Sequence, residues 1–336
     1  MPKRLLLVLA LAVPALMRAQ TIEPVIISNL PQADPLPTPV ELSTPSVAAP
    51  PKAASPPPLV FSEPDEDAIA RQHALRLRSA AALVVDQQEG QLLYAKNTDA
   101  VMPIASITKL MTAMVVLDSG VPLDDMITIG PTDVDLLKGT RSRLKVGVTL
   151  SRRELLKLAL MASENRAAAA LARSHTGGTY MFVEAMNQKA RNLGMYDTRF
   201  LDATGLNPRN VSTAQDLAVM VNAGYQYPLI REFTTSESHR VALPERRYAR
   251  VVSFRNSNGL VRSKQWEIGL SKTGYISEAG RCLVMQATIA AKPVIIVLLD
   301  SWGKLSRVGD ANRIKRWVEG LVFGTPPAGT RRPRIS

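Results

Sequence analysis

Strand-like apolar runs cluster near both ends of the foldable part of this chain, with helix-like patterns between them. AALVVD (81–86) and QLLYA (91–95) flank a polar turn at Gly90 and read as a hairpin. CLVMQATIA (282–290) and VIIVLLD (294–300) flank Lys292–Pro293 as a second. Between them, Ile104, Ile107, Leu110, Met111, Met114, Val115 and Leu117 mark an apolar helix. Ser151, three residues before Glu154, is a capping box that starts the helix RRELLKLALM, and RAAAALAR after MASEN is a strong helix former. A last helix spans Asp310 to Val322, with Ile314, Trp317, Val318 and Leu321 on one face. Strands at both ends and helices between predict an α/β layered domain whose sheet is completed by non-local pairing.

Three flanking segments stand apart from that domain, which is expected over 67–323. MPKRLLLVLALAVPALMRA (1–19) has the basic start, apolar stretch and small residue of an export signal. Residues 20–66 hold twelve of the 24 prolines and predict a disordered linker that gives the domain reach. Residues 324–336 form a basic flexible tail. A single cysteine rules out an internal disulfide. The net charge of +12 points to an anionic contact: nucleic acid, anionic lipid at a membrane surface or an anionic polymer. That charge is dispersed and aromatic content is only 5%, which argues against nucleic acid as a partner.

Within the first apolar helix sits Lys109, three residues after Ser106 and therefore on the same face. A serine hydroxyl needs a nearby base to become a nucleophile. A lysine supplies one only if burial or positive neighbours depress its pKa. Histidine has no evident place in such a site, since His73, His175 and His239 lie in unrelated contexts. No metal-ligand spacing, G-x-S-x-G elbow or phosphate loop occurs, so no cofactor is expected. S-x-x-K alone is weak, because Ser142–Lys145 and Ser301–Lys304 match it as well.

Two further motifs raise its weight. Ser163-Glu164-Asn165 lies at a break between helices, and Lys272-Thr273-Gly274 lies on a strand. Ser163 and Asn165 offer a hydroxyl and an amide to relay a proton and hold a substrate amide. Lys272 adds a positive charge that would keep Lys109 neutral and attract a substrate carboxylate, which Thr273 can bond. Gly274 would let substrate lie close to the strand, and the N–H groups of Tyr275 and Ser106 would form an oxyanion hole.

S-x-x-K, S-x-N and K-T-G in this order resemble the serine D,D-peptidases of the low-molecular-mass penicillin-binding proteins. The stretches PIASITKLMTAMVVLD, LMASENRAAAALA, LGMYDTRFLDATGLNPRNVSTAQDLA and LSKTGYISEAGRCLVM bring the chain nearest to the D-alanyl-D-alanine endopeptidase branch. The resemblance implies a β-lactamase/transpeptidase-like fold: an antiparallel sheet flanked by helices, a helical subdomain, and the active site between them. It implies cleavage of D-Ala peptide crosslinks in periplasmic peptidoglycan, through an acyl-enzyme that β-lactams would also form. Ser106 would be the nucleophile and Lys109 the base, with Ser163, Asn165 and Lys272 in support. DATGLNP (202–208) would be structural, and Cys282 a buried inert thiol. The chain ends soon after its last helix, without the β-rich second domain and anchor helix of related carboxypeptidases, which favours the endopeptidase branch. A carboxypeptidase acting on free pentapeptides is the alternative. A β-lactamase is disfavoured by S-E-N in place of S-D-N and by the lack of E-x-x-L-N between Lys109 and Lys272. A non-catalytic cell-wall or penicillin sensor is disfavoured by the full set of catalytic side chains.

Overall fold

The computed structural model describes residues 59–62, 75–244 and 249–323. The expected export segment, most of the Pro-rich stretch, the domain start near residue 67 and the basic tail lie outside the described residues. The end of the Pro-rich stretch differs from the expected free linker. Leu59 and Phe61 pack on the core, and Ser62 donates its N–H to the Gly90 carbonyl at 3.2 Å.

In chain order the elements begin with β1 (Ser79–Asp86), β2 (Leu92–Lys96), β3 (Met102–Pro103) and α1 (Lys109–Asp118). They continue with β4 (Met126–Thr128), β5 (Thr149–Ser151), α2 (Arg152–Met161), α3 (Asn165–Arg173), α4 (Gly178–Asn192) and β6 (Val211–Ser212). Next come α5 (Ala214–Tyr225), α6 (Pro228–Thr235), β7 (Ser238–Pro244) and β8 (Ala249–Arg255). The chain returns to the sheet with β9 (Glu267–Ile276), β10 (Gly280–Ile289) and β11 (Lys292–Ser301), and α7 (Ser306–Phe323) closes the described part.

The main sheet has five antiparallel strands in the order β2-β1-β11-β10-β9. Its defining pair is non-local: β1 lies against β11, with Leu83 opposite Val297 and Val84 opposite Ile296. Side chains that alternate along a strand reach opposite faces. Thus Ile295, Val297 and Leu299 of β11 enter one core with α1 and α5, while Val294, Ile296 and Leu298 enter the other beneath α7. In that second core Trp317 of α7 meets the Tyr94 ring edge-on, with centroids 6.2 Å apart. Helices α1–α6 and the short β4–β5 and β7–β8 pairs form the helical side of the molecule. Its apolar core is continuous with the α1 face of the sheet.

Several local expectations shift. The helix expected from Ile104 divides into a 3-10 turn over Ala105–Thr108 and α1 proper, so Ser106 lies on the turn before the α-helix. Helix α7 begins at Ser306, one turn earlier than the apolar pattern suggested. The second hairpin turns at Ala290–Ala291, both with positive φ, and Lys292–Pro293 already belong to β11. Proline is tolerated there because it sits at the strand's start. The capping box is half made: the Ser151 hydroxyl accepts the Glu154 N–H at 3.2 Å, but the Glu154 carboxylate turns to His239 at 2.7 Å. The β7–β8 hairpin drew no sequence expectation, because Arg240, Arg250 and Arg255 break its apolar run.

Candidate active site

The site forms where the α1 turn, the α2–α3 junction and β9 meet. Strand β9 and the Ser106 turn touch closely: a Cβ on Gly274 would stand 2.8 Å from the Ile104 carbonyl oxygen and 3.2 Å from Ser106 N. A Cβ on Gly205, whose φ is +77°, would fall 1.9 Å from the Ala105 carbonyl oxygen. The turn that carries Ser106 is therefore clamped between two glycines. Gly274 serves that strand-to-turn contact.

Lys109 opens α1 and is fully buried. Its Nζ donates to Ser106 Oγ at 2.9 Å, Asn165 Oδ1 at 2.7 Å and the Thr204 carbonyl at 2.6 Å. Burial pushes its pKa down to about 7, against the opposing pull of the Asp202 and Glu164 carboxylates. Lys272 is buried too, and donates to Ser163 Oγ at 2.8 Å and to the Thr273 carbonyl at 3.0 Å. Its pKa falls well below the ordinary lysine value through burial, then through the charges of Lys109 and Arg307. Burial is the leading cause for both lysines, and the mutual repulsion of the two ammonium groups opposes charging them together.

Ser163 adopts φ +60°, a strained conformation for a non-glycine residue, at the kink between α2 and α3. That kink turns its hydroxyl towards Lys272 while Asn165 points at Lys109. Thr273 Oγ1 donates to Ser257 Oγ at 2.7 Å, which holds its hydroxyl in place beside β8. The Tyr275 side chain is 56% exposed at the rim, with the Arg281 guanidinium 4.5 Å from its ring centroid. Cys282 is buried and burial pushes its thiol up to about 11, as expected of an inert cysteine.

Other residues complete the site without having been singled out. The Asp202 carboxylate accepts the N–H groups of Thr204 at 2.8 Å and Asn207 at 2.7 Å, and so shapes the loop whose carbonyl meets Lys109. The Thr140 hydroxyl donates to Asp135 Oδ2 at 2.7 Å and accepts from Asn165 Nδ2 at 3.0 Å. With its own proton committed to Asp135, Thr140 can only accept, and this fixes Asn165 with its oxygen facing Lys109. Arg307, in the first turn of α7, donates to the Gly274 carbonyl at 3.1 Å and the Cys282 carbonyl at 3.3 Å, bracing β9 from behind. DATGLNP was the one useful sequence signal for these; the loop around Asp135 and Thr140 carries no motif. Among the described residues, no group of three or more His, Cys, Asp or Glu side chains could hold a metal ion. No helix among them is long and apolar enough to cross a membrane.

Comparison with known proteins gives concordant matches. The D-alanyl-D-alanine carboxypeptidase family of peptidases (S11) matches residues 68–303. A D-alanyl-D-alanine endopeptidase of Pseudomonas aeruginosa is 50% identical over 75% of this chain and 81% of its own length. One of Escherichia coli is 44% identical over the same shares. Among solved structures, the Streptomyces K15 DD-transpeptidase superposes with a TM-score of 0.67 at 29% identity, over 72% of this chain and 97% of that one.

Proposed function

Because the chain belongs to the D-alanyl-D-alanine carboxypeptidase (S11) family of serine peptidases, we propose that it is a penicillin-sensitive D,D-endopeptidase that opens D-Ala peptide crosslinks in peptidoglycan through an acyl-enzyme on Ser106. The contact between Lys109 Nζ and Ser106 Oγ, inside a site that desolvates the amine, carries this reading. As an ammonium, Lys109 donates to three acceptors, and only one of them, the Ser106 hydroxyl, has a proton to give. When Lys109 loses its proton, its two remaining N–H bonds stay with the Asn165 and Thr204 oxygens. The lone pair then faces Ser106. Ser106 Oγ attacks the D-Ala carbonyl carbon while its proton passes to Lys109 Nζ.

The N–H groups of Ser106 and Tyr275 hold the developing oxyanion. Collapse of the tetrahedral intermediate expels the amine, which takes a proton from the lysine side, directly or through Ser163, itself bonded to Lys272. Water then releases the acyl group. Lys272 and Thr273 hold the substrate carboxylate beside β9, the Thr273 hydroxyl turning its proton to the carboxylate and accepting that of Ser257 in exchange. The chain's basic start and apolar Leu5–Leu16 stretch support work in the periplasm, where its positive charge suits an anionic wall or membrane surface.

Relatives of 50% and 44% identity bear the endopeptidase name, which favours crosslinks over free pentapeptides as substrate. Digestion of purified muropeptides followed by mass spectrometry tests this. Loss of cross-linked dimers is the expected outcome; loss of terminal D-Ala alone would make the protein a carboxypeptidase. Cleavage by Ser106→Ala at the wild-type rate would remove the mechanism, and rapid nitrocefin turnover would point to a β-lactamase.

A further inference from the structure

Beside the Ser163–Asn165 kink lies a cavity of about 550 Å³ that the chemistry above does not use. Ala162, Ser163, Glu164 and Asn165 form one wall, and Arg141, Arg143 and Arg255 line the remainder with Ser253 and Phe254. The arginines come from separate places: two from the chain between α1 and β5, and one from the end of β8. Arg143 is fixed by donating to the Ser253 carbonyl and by lying 5.3 Å over the Phe254 ring. Arg141 and Arg255 form no ion pair among the described residues.

The one carboxyl in the lining is already engaged. Glu164 takes a hydrogen bond from the Ser142 side chain, and burial raises its pKa despite that bond and despite Lys109, Arg166 and Arg143. Even with Glu164 fully ionised, three guanidinium groups outnumber it. The cavity therefore carries an excess of at least two positive charges beside the reacting atoms. Arg141, Arg143 and Arg255 are exposed, so the site is open to solvent, and its selectivity rests on the guanidinium forks, which match the two oxygens of a carboxylate.

We propose that Arg141, Arg143 and Arg255 form a subsite for a free carboxylate carried by the peptide substrate away from the bond that is cut. Lys272 and Thr273 do not line it; they adjoin it across the Ser163 hydroxyl, which Lys272 bonds at 2.8 Å. The assignment rests on the D,D-peptidase reading, because the shared Ser163–Asn165 wall makes the occupant part of the molecule that reaches Ser106. Its chemistry sets the substrate class: an acidic stem peptide is taken in preference to the same peptide with that carboxyl amidated.

Two peptide substrates that differ only by amidation of a free carboxylate away from the bond that is cut test the assignment. The wild type is expected to cleave the free acid about 10- to 100-fold more efficiently in kcat/KM, the range of one or two charge-assisted hydrogen bonds. In the double variant Arg141→Gln, Arg255→Gln that ratio should fall to within about threefold of one, and Arg255→Lys should keep part of it. Binding of both peptides to Ser106→Ala, followed by calorimetry, reads the same preference without turnover. If both peptides bind that variant equally, or if the double variant keeps the full ratio, the subsite is overturned. If the wild type cleaves neither peptide while Ser106→Ala still binds the free acid preferentially, the D,D-peptidase reading fails and the carboxylate site stands.

Discussion

Ser106–Lys109 and Ser142–Lys145 share residue types and spacing, and Glu164 stands near both, yet the two lysines differ completely in burial. Lys109 is sealed under α1, and each of its three donors has a fixed acceptor. Lys145 lies exposed in a loop, and Ser142 spends its hydroxyl on local backbone and on Glu164. The third match is split as well: Ser301 is buried against Ser79 at 2.6 Å, while Lys304 is exposed. A spacing of three only permits an encounter. What lowers the pKa of the amine is removal from water, and no short motif encodes that.

Breaking the first pair should have the largest effects. Ser106→Ala should abolish fluorescent penicillin labelling and lower peptide cleavage by about 10⁴-fold or more. Lys109→Met keeps the bulk but removes the base, and should slow penicillin acylation by about 10²- to 10⁴-fold. Over a pH series, wild-type acylation should rise as Lys109 loses its proton, with a midpoint near the value of about 7 that burial sets. The sign follows from the chemistry: below that midpoint the ammonium has no lone pair for the Ser106 proton. A flat profile between pH 6 and 8, or a midpoint above about 10 as for a solvated lysine, would break the account.

Smaller effects sharpen the comparison by testing what holds the first pair in place. Gly205→Ala would force a Cβ into the Ala105 carbonyl at a positive φ, and should cost about 2–4 kcal/mol, seen as a lowered thermal midpoint. Thr140→Val keeps the shape but removes the acceptor that orients Asn165. It should slow acylation by about tenfold, the weight of one or two lost hydrogen bonds. Lys145→Ala, in the decoy pair, should leave acylation within about twofold of wild type, as surface substitutions do.

The strands at the two ends of the chain were legible because their apolar runs are long and rich in Val, Ile and Leu. That the two ends must pair was legible as well, but the order β2-β1-β11-β10-β9, with β1 and not β2 against β11, came only from the structure. The β7–β8 hairpin was not legible, since charged residues obscure its pattern. Within the site, Ser106, Lys109, Ser163, Asn165, Lys272 and Thr273 stand out as motif residues, and the structure brings them together. Asp202 is announced by DATGLNP, but Asp135, Thr140 and Arg307 do not stand out. Thr140 reaches Asn165 25 residues away, Asp135 acts on it only through Thr140, and Arg307 bonds backbone carbonyls that any side chain could accompany.

By itself the sequence determined which groups are available: a serine and a lysine on one turn, a second hydroxyl and amide at a helix break, and a lysine on a strand. It also determined that the sheet must close from both ends. Only the tertiary structure decided that Lys109 would be buried and that the Thr204 carbonyl, 95 residues away, would accept one of its protons. It also decided that Ser163 would face Lys272 and that three arginines would share one cavity. Burial and convergence depend on packing between distant segments, whereas a motif records only neighbours along the chain.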